Sequence, residues 1–200
     1  MPDLVLSTKF GTWRSFTARK SDPAFLAFSQ KVMQRDRYAC QFCGFQAKEF
    51  QEVVNLDQNY TNNKLSNLVT ACVFCAQCFF IESVGLGDFG GGTLIYLPEI
   101  QQADLNSFCH VIFCAIANDT GYKNTAQSIY RNLKFRSQII EEQFGEGTSN
   151  PAVFGQLLLD CELSLTETLI QQMRLLPSRG RFKRQIEHWA SAALRELATE

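Results

Sequence analysis

The second half of the chain, after Pro98, spaces its apolar residues as helices do. Three runs put apolar side chains three or four positions apart, so that each run shares one helical face. The runs are Leu105, Phe108, Cys109, Ile112, Phe113 and Ile116, then Ala126, Ile129, Leu133 and Ile140, and last Phe182, Ile186, Trp189, Ala193 and Leu197. The pattern predicts only helices after Pro98, the last one from about Phe182 to Ala198.

Turn-forming and capping residues divide these helices. Gly145 and Gly147 are expected to end the second one, because glycine readily adopts the conformation found just beyond a helix. The run Ser149-Asn150-Pro151 is typical of a new helix start. Ser164, followed three positions later by Glu167, forms a capping box that predicts one further helix.

The N-terminal residues predict a short β-hairpin. The segments Leu4–Thr8 and Trp13–Ala18 are rich in apolar, aromatic and β-branched residues, and Gly11 between them permits a turn. We therefore expect the fold to begin with two short antiparallel strands.

A helix is expected directly after this hairpin. Ser21 or Asp22 caps it, and Pro23 takes its first position, where the missing amide hydrogen costs nothing. Its apolar stripe comprises Phe25, Phe28 and Val32. The helix should end near Arg35, just before the first cysteine pair.

The middle of the chain predicts two strands with a helix between them. Val53–Leu56 is typical of a strand, and a polar loop follows it. A helix is expected to begin at Ser66 or Asn67 and to carry the second cysteine group, until the glycine-rich run Gly85–Gly92 breaks it. Thr93–Leu97 then predicts a second strand.

Composition narrows the functional classes. The chain has 200 residues, 46% hydrophobic and 20% charged, as expected for a globular protein. Its 19 basic and 20 acidic residues give a net charge of −1, so no global field attracts nucleic acid or anionic lipid. The N-terminus has neither the basic region nor the apolar run of a signal peptide. We therefore expect a cytoplasmic protein whose 8 cysteines stay reduced.

Two Cys-x-x-Cys pairs carry the main chemical signal. Cys40 and Cys43 form the first pair, with Gly44 available for a tight turn, and Cys72 and Cys75 form the second. Each pair can hold two corners of a tetrahedron, so together they complete the closed shell of a structural zinc ion. The alternative is two unrelated pairs of buried thiols. Zinc modules of this kind gain about 10–16 kcal/mol from the metal, so its loss should unfold the local region.

Cys78 extends the second pair to Cys-x-x-Cys-x-x-Cys. On a helix it would lie partly on the face that carries the other two cysteines, so it could replace one of them as a ligand. The alternative is a buried thiol beneath the site. The spacing is compatible with both interpretations.

The remaining cysteines and both histidines lie in helical stretches. Cys109, Cys114 and Cys161 are surrounded by apolar residues, so we expect them to act as small buried hydrophobes. His110 and His188 lie far along the chain from the cysteine pairs. We expect both histidines to be ordinary residues at the surface or boundary of a helix.

The frame around the cysteines resembles the zinc-bearing module of HNH nucleases. The matching runs are Arg35–Gly44, Leu65-Ser66-Asn67-Leu68 and Cys72-x-x-Cys75. This resemblance implies a β-hairpin followed by a helix, with a catalytic divalent ion bound at their junction. It also implies a general-base histidine on the first strand and, usually, a metal-binding histidine directly after the second cysteine pair.

Both of those histidines are replaced in this chain. Asn55 and Ala76 stand at the two positions, and Asn67 is the only signature residue that remains. An amide cannot take a proton from water at neutral pH, and general-base catalysis is worth about 10²–10⁴-fold. Asp57 lies two residues from Asn55 with no residue to tune its pKa. We therefore predict a nuclease scaffold without nuclease activity.

A second resemblance covers nearly the whole chain. It is similar to the IcmJ/DotN family, which belongs to the Dot/Icm type IVB secretion system. The most specific runs are Cys75–Gly85 and Gly145-Glu146-Gly147-Thr148. The other matching passages are Arg35–Gly44, Tyr60–Asn63, Ser66–Val84, Gly90–Glu99, Phe108–Tyr122, Gly145–Leu157 and Arg174–Arg184.

The family resemblance implies a role and its partners. It implies an HNH-like zinc fold without catalysis, acting as an adaptor subunit of the type IV coupling complex. The adaptor would bind the C-terminal tail of the coupling ATPase DotL, beside DotM and, indirectly, the IcmS–IcmW effector chaperones. It would be cytoplasmic and recruited to the cytoplasmic face of the inner membrane through this complex.

A cluster of basic residues is the candidate partner surface. Four of its members, Arg179, Arg181, Lys183 and Arg184, stand at the start of the last predicted helix, shortly after Arg174. Such a run is often only a solvated helix start. The functional alternative is a patch for an acidic segment of a partner or for anionic lipid headgroups.

Taken together, these patterns predict an α+β protein with a ββα-like zinc knuckle. Residues 1–97 would form the HNH-like zinc-binding region, and residues 98–200 a helical region packed against it as one compact unit. The predicted function is a zinc-stabilised adaptor rather than an enzyme. The alternatives are an HNH-type nuclease that depends on a divalent metal and a zinc-dependent nucleic-acid-binding protein, which the balanced charge disfavours.

Overall fold

The computed structural model describes residues 2–160 and 171–197. These residues form helices and two small antiparallel sheets, as expected for an α+β protein. The strands are β1 (Gln51–Asn55), β2 (Leu68–Cys72), β3 (Gly92–Tyr96) and β4 (Met173–Pro177). The α-helices are α1 (Thr12–Arg19), α2 (Pro23–Arg35), α3 (Val73–Ala76), α4 (Gln102–Ala117), α5 (Lys123–Phe135), α6 (Ser137–Phe144), α7 (Pro151–Asp160) and α8 (Lys183–Leu197). The capping box at Ser164 and Glu167, and Cys161, lie outside the described residues.

The predicted N-terminal β-hairpin is wrong, because its second strand is the helix α1. Gly11 precedes this helix with a φ of 79°, a conformation that glycine adopts without strain. Helical periodicity then directs Phe16 into the core, where its ring lies 4.6 Å from that of Phe80. The first segment is not paired in a hairpin either. The Ser7 amide donates to the carbonyl of Cys78, 2.8 Å away.

Helix α2 has the predicted start and end. Asp22 caps it by accepting a hydrogen bond from the Ala24 amide at 2.9 Å, and Pro23 is its first residue. Phe25 and Val32 are buried, together with Val53 of β1 and Leu68 of β2, in a small apolar cluster. The helix therefore rests on the first sheet and ends where the first cysteine pair begins.

The predicted helix from Ser66 or Asn67 is corrected to a strand. Leu65–Asn67 forms one 3₁₀ turn, after which β2 pairs antiparallel with β1, with Asn55 opposite Leu68 and Gln51 opposite Cys72. Leu68 and the β-branched residues that follow it fit a buried pleated surface better than a helix. The helix that follows, α3, is only four residues long.

The prediction of helices alone after Pro98 is also wrong, because β4 pairs antiparallel with β3. All five residues of β4 are buried, as expected for a strand that is covered on both faces. This sheet therefore joins the residues before position 97 to those after it, and one apolar core contains residues from both parts.

The single helix predicted around Ile129 and Ile140 is two helices, α5 and α6. Their break at Arg136 lets its carbonyl accept from the Tyr96 amide at 3.3 Å, while its side chain pairs with Glu99 at 2.6 Å. Phe108 is also more exposed than its place on the apolar face of α4 predicts. No helix within the described residues is long and apolar enough to cross a lipid bilayer.

Candidate metal centre

A tight turn after α2 presents the first cysteine pair. The Gly44 amide donates to the carbonyl of Cys40 at 2.9 Å, and Gly44 has the positive φ of 76° that the sequence predicted for a tight turn. The Cys40 amide donates in turn to the carbonyl of Phe45 at 2.8 Å. These bonds direct the thiols of Cys40 and Cys43 to the same side of the turn.

The end of β2 presents the second pair. Cys72 is the last residue of the strand, and Cys75 lies within α3. Asp36, at the end of α2, accepts from the Thr70 amide at 2.8 Å, and Arg35 donates to the carbonyl of Leu68 at 2.6 Å. The Arg-Asp dipeptide therefore ties the helix before the first pair to the strand that carries the second.

The four sulfur atoms form one buried cluster. The Sγ atoms of Cys40, Cys43, Cys72 and Cys75 all lie within 4.8 Å of one another, and those of Cys43 and Cys72 are 3.6 Å apart. Tetrahedral zinc at about 2.3 Å from each sulfur gives sulfur–sulfur separations of about 3.8 Å. A disulfide would need about 2.0 Å. The donor set therefore fits a four-coordinate metal ion, with all four residues buried.

Hydrogen bonds within the cluster favour negative charge on one sulfur. Bonds from Cys43, Cys72 and Cys75 hold the pKa of the Cys40 thiol well below its usual value. Burial raises the pKa of the Cys72 and Cys75 thiols. A divalent cation among the four sulfurs would offset the cost of burial and favour their thiolate forms.

Two polar residues of α4 also contact the cluster, and neither was predicted from the sequence to belong to the site. Asn106 Nδ2 lies 3.2 Å from Cys75 Sγ, and His110 Nε2 lies 3.3 Å from Cys72 Sγ. The expectation of a surface or boundary position is wrong for His110, which is buried, and burial lowers its pKa to about 3. The missed signal was the spacing of Gln102, Asn106 and His110, four positions apart along an apolar helix.

Cys78 is a buried thiol beside the cluster, and its sulfur is not among the four that converge. Its Sγ donates to the carbonyl of Phe74 at 3.4 Å, and burial raises its pKa. Cys109 is buried as expected, and Cys114 is partly exposed. His188 is half-buried, with Nε2 3.6 Å from Glu49 Oε2.

Asn55 and Ala76, the two positions at which the HNH resemblance implies histidine, are closed to solvent. Asn55 is 0% exposed, and its amide nitrogen donates to the carbonyls of Asn59 and Asn62, each at 2.8 Å. Its oxygen accepts from Arg19 Nη1 at 2.5 Å. Ala76 is also fully buried. The side chain of Asn55 thus holds the loop after β1 through its nitrogen and Arg19 of α1 through its oxygen.

Of the five basic residues between positions 174 and 184, two bind backbone carbonyls within the fold. Arg174 is buried and donates to three carbonyl oxygens, including that of Ile100. Arg181 donates to the carbonyls of Gly87 and Gly90 in the glycine-rich loop. The remaining three side chains are exposed; Arg184 lies over the ring of Phe50, and Lys183 pairs loosely with Glu187.

The fold and the site define an α+β protein organised around a buried four-cysteine cluster of the kind that holds a structural metal ion. No family model matches the chain. The chain is 63% identical over 199 residues to the type 4 apparatus protein DotN of Legionella pneumophila, an alignment that covers 98% of this chain and 93% of that protein. It therefore belongs to the IcmJ/DotN family.

Proposed function

We propose that this chain is a non-enzymatic, zinc-stabilised adaptor subunit of a type IVB secretion coupling complex. In this role it binds the C-terminal tail of the coupling ATPase DotL, beside DotM, and helps the IcmS–IcmW chaperones to recruit effector proteins at the cytoplasmic face of the inner membrane. The observation that carries the proposal is the 63% identity to DotN across nearly the whole chain.

The metal in this proposal is zinc, held by Cys40, Cys43, Cys72 and Cys75. Four thiolates are a typical donor set for structural zinc, and a closed four-sulfur shell leaves no position for a reactive water. Their burial and mutual distances support this assignment. The ion would stabilise the junction of α2, β2 and α3, in addition to the hydrogen bonds and the apolar cluster between α2 and the first sheet.

The environment of Asn55 and Ala76 supports an adaptor rather than a nuclease. Asn55 is buried and makes three hydrogen bonds to protein atoms, so its side chain does not face solvent where a water molecule could be activated. Asn67 donates to the Asp57 carboxylate at 2.8 Å, which engages the residue nearest to a substitute base. General-base catalysis would therefore need a different set of residues.

A groove between α4 and α8 is the surface we propose for the partner. It encloses about 400 Å³ and is lined by the apolar side chains of Phe113, Ala117 and Ile186, by the basic side chains of Arg179 and Lys183, and by Glu187. An amphipathic segment with acidic residues flanking its apolar face would match both features. Of the four basic candidates, these two line the groove.

Binding of a DotL tail peptide to the full zinc-loaded chain tests this proposal, measured by calorimetry. We expect saturable binding, and charge reversal in Arg179→Glu with Lys183→Glu should weaken it at least about tenfold. Arg14→Glu with Lys31→Glu is the matched control, since it changes the net charge equally at two exposed positions elsewhere. Absence of binding would refute the adaptor role, and equal affinity in both double variants would refute the proposed surface alone.

A further inference from the structure

Helix α4 contacts the cysteine cluster through one amide nitrogen and one imidazole nitrogen. Asn106 Nδ2 is 3.2 Å from Cys75 Sγ, and His110 Nε2 is 3.3 Å from Cys72 Sγ. Asn106 is 0% exposed and His110 8% exposed, so water does not compete for these bonds. Each of the two residues thus contacts a different sulfur of the second cysteine pair.

The orientation of the Asn106 amide is fixed from its other side. Its Oδ1 accepts from Gln102 Nε2 at 2.9 Å, which leaves Nδ2 to face the sulfur. Gln102 is itself held by the backbone of β4, because its Oε1 accepts from the Leu175 amide at 2.7 Å and its Nε2 donates to the Leu175 carbonyl at 2.9 Å. A chain of hydrogen bonds therefore runs from β4 through α4 to the cluster.

The imidazole of His110 is fixed by aromatic stacking. The ring of Phe45 lies parallel to it at 3.6 Å with an interplanar angle of 5°, and the ring of Phe74 lies on it at 4.3 Å with 19°. Trp189 of α8 meets its edge at 5.1 Å. The ring cannot turn away from Cys72 without disrupting this stack.

We propose that Asn106 and His110 are outer hydrogen-bond donors that hold the metal in the four-cysteine site, with Gln102 linking Asn106 to the β3–β4 sheet and the aromatic stack holding His110. Fixed donors to ligand atoms orient those atoms and lower the free energy of their charge, and their loss commonly weakens metal binding. Retention of the metal would then depend on the packing of the helical half. The inference rests on the proposed zinc site.

Zinc release from the folded full chain into excess chelator, followed by absorbance, separates this role from a merely structural one. Loss of a structural hydrogen bond lowers the free energy of unfolding without a specific effect on release from the folded protein. We expect Asn106→Leu to release zinc at least about tenfold faster than the wild type. Gln102→Leu should accelerate release less, because it loosens Asn106 without touching sulfur.

Asn118→Leu is the matched control. Asn118 closes the same helix, and its amide donates to Cys114 Sγ at 3.6 Å and to the Ala190 carbonyl at 3.1 Å, yet Cys114 is outside the cluster. Its release rate should equal that of the wild type. A zinc-loaded, folded Asn106→Leu variant that releases zinc at the wild-type rate would overturn the inference.

A measurement on the unaltered protein keeps the inference testable if Asn106→Leu does not fold. In protein loaded with cadmium-113, a scalar coupling should connect the metal to the side-chain amide protons of Asn106 through Cys75 Sγ. Absence of this coupling, together with rapid exchange of those protons, would overturn the inference. Wild-type protein that takes up no metal under reducing conditions would instead refute the zinc site itself.

Discussion

Arg19 is a buried cation that fastens α1 to the first sheet, and its removal should destabilise the protein. Its guanidinium donates to Asn55 Oδ1 and to the Val53 carbonyl, each at 2.5 Å. It also lies over the rings of Phe25, at 4.3 Å, and Tyr60, at 4.6 Å. Burial lowers its pKa to about 10, so the side chain remains charged at neutral pH.

The expected cost of Arg19→Ala follows from these contacts. Two buried acceptors lose their donor, at about 1–3 kcal/mol each, and the cation–π contacts add about 0.5–2 kcal/mol. Removal of the cost of burying a charge offsets part of this loss. We therefore expect the free energy of unfolding to fall by about 2–3 kcal/mol. Arg19→Lys keeps the charge but cannot reach both acceptors, so it should lose about half as much.

Urea unfolding of the zinc-loaded protein, followed by circular dichroism, measures these values. Arg14→Ala is the control on the same helix, since Arg14 is exposed, and it should change the free energy of unfolding by less than about 0.5 kcal/mol. A loss in Arg19→Ala no larger than in this control would show that the guanidinium does not fasten α1 to the sheet.

Three further predictions concern the metal ligands, the close contact between Gly92 and β4, and the pH dependence of stability. Cys40→Ser should abolish bound zinc while Cys78→Ser keeps one ion per chain, by elemental analysis; zinc retained by the first variant would contradict the ligand assignment. Gly92→Ala should destabilise the protein by about 1–3 kcal/mol, because its Cβ would lie 2.6 Å from a carbonyl oxygen of β4, whereas Gly121→Ala meets no atom within 4 Å and should be neutral by thermal unfolding. Burial opposes ionisation of Asp36, but hydrogen bonds from Arg35 and Thr70 outweigh the effect of burial and lower the pKa of Asp36. Asp36 therefore contributes stability that is present above about pH 4 and is lost as the pH falls through its pKa in the folded state. Chemical unfolding across this range should show a smaller acid-side loss in Asp36→Asn than in the wild type, and equal losses would contradict the assignment.

The cysteine cluster and α2 were predictable because their signals are local. Two residues between cysteines fix the geometry of a knuckle, and a capping aspartate before proline fixes a helix start, whatever the rest of the chain does. The structure confirms that the four thiols lie close together, and α2 begins and ends at the predicted residues.

The errors fall on segments whose state depends on distant partners. Trp13, Phe16 and Thr17 have strand propensity, yet α1 forms because helical spacing buries Phe16 in the core. The apolar run of β4 is compatible with a buried helix or strand, and only pairing with β3, far away in sequence, selects the strand. The polar residues of α4 contacting the cluster were missed for the same reason, since the chemistry of Asn106 is defined by a sulfur that approaches only in the fold.

The proposed function depends on a closed four-sulfur metal centre that shapes a surface and performs no reaction. X-ray absorption at the zinc edge of the purified full chain tests this proposal. We expect one zinc per chain with four sulfur ligands at about 2.3 Å and no oxygen or nitrogen bound directly to the metal. A shell of three or fewer sulfurs completed by a water oxygen would contradict it.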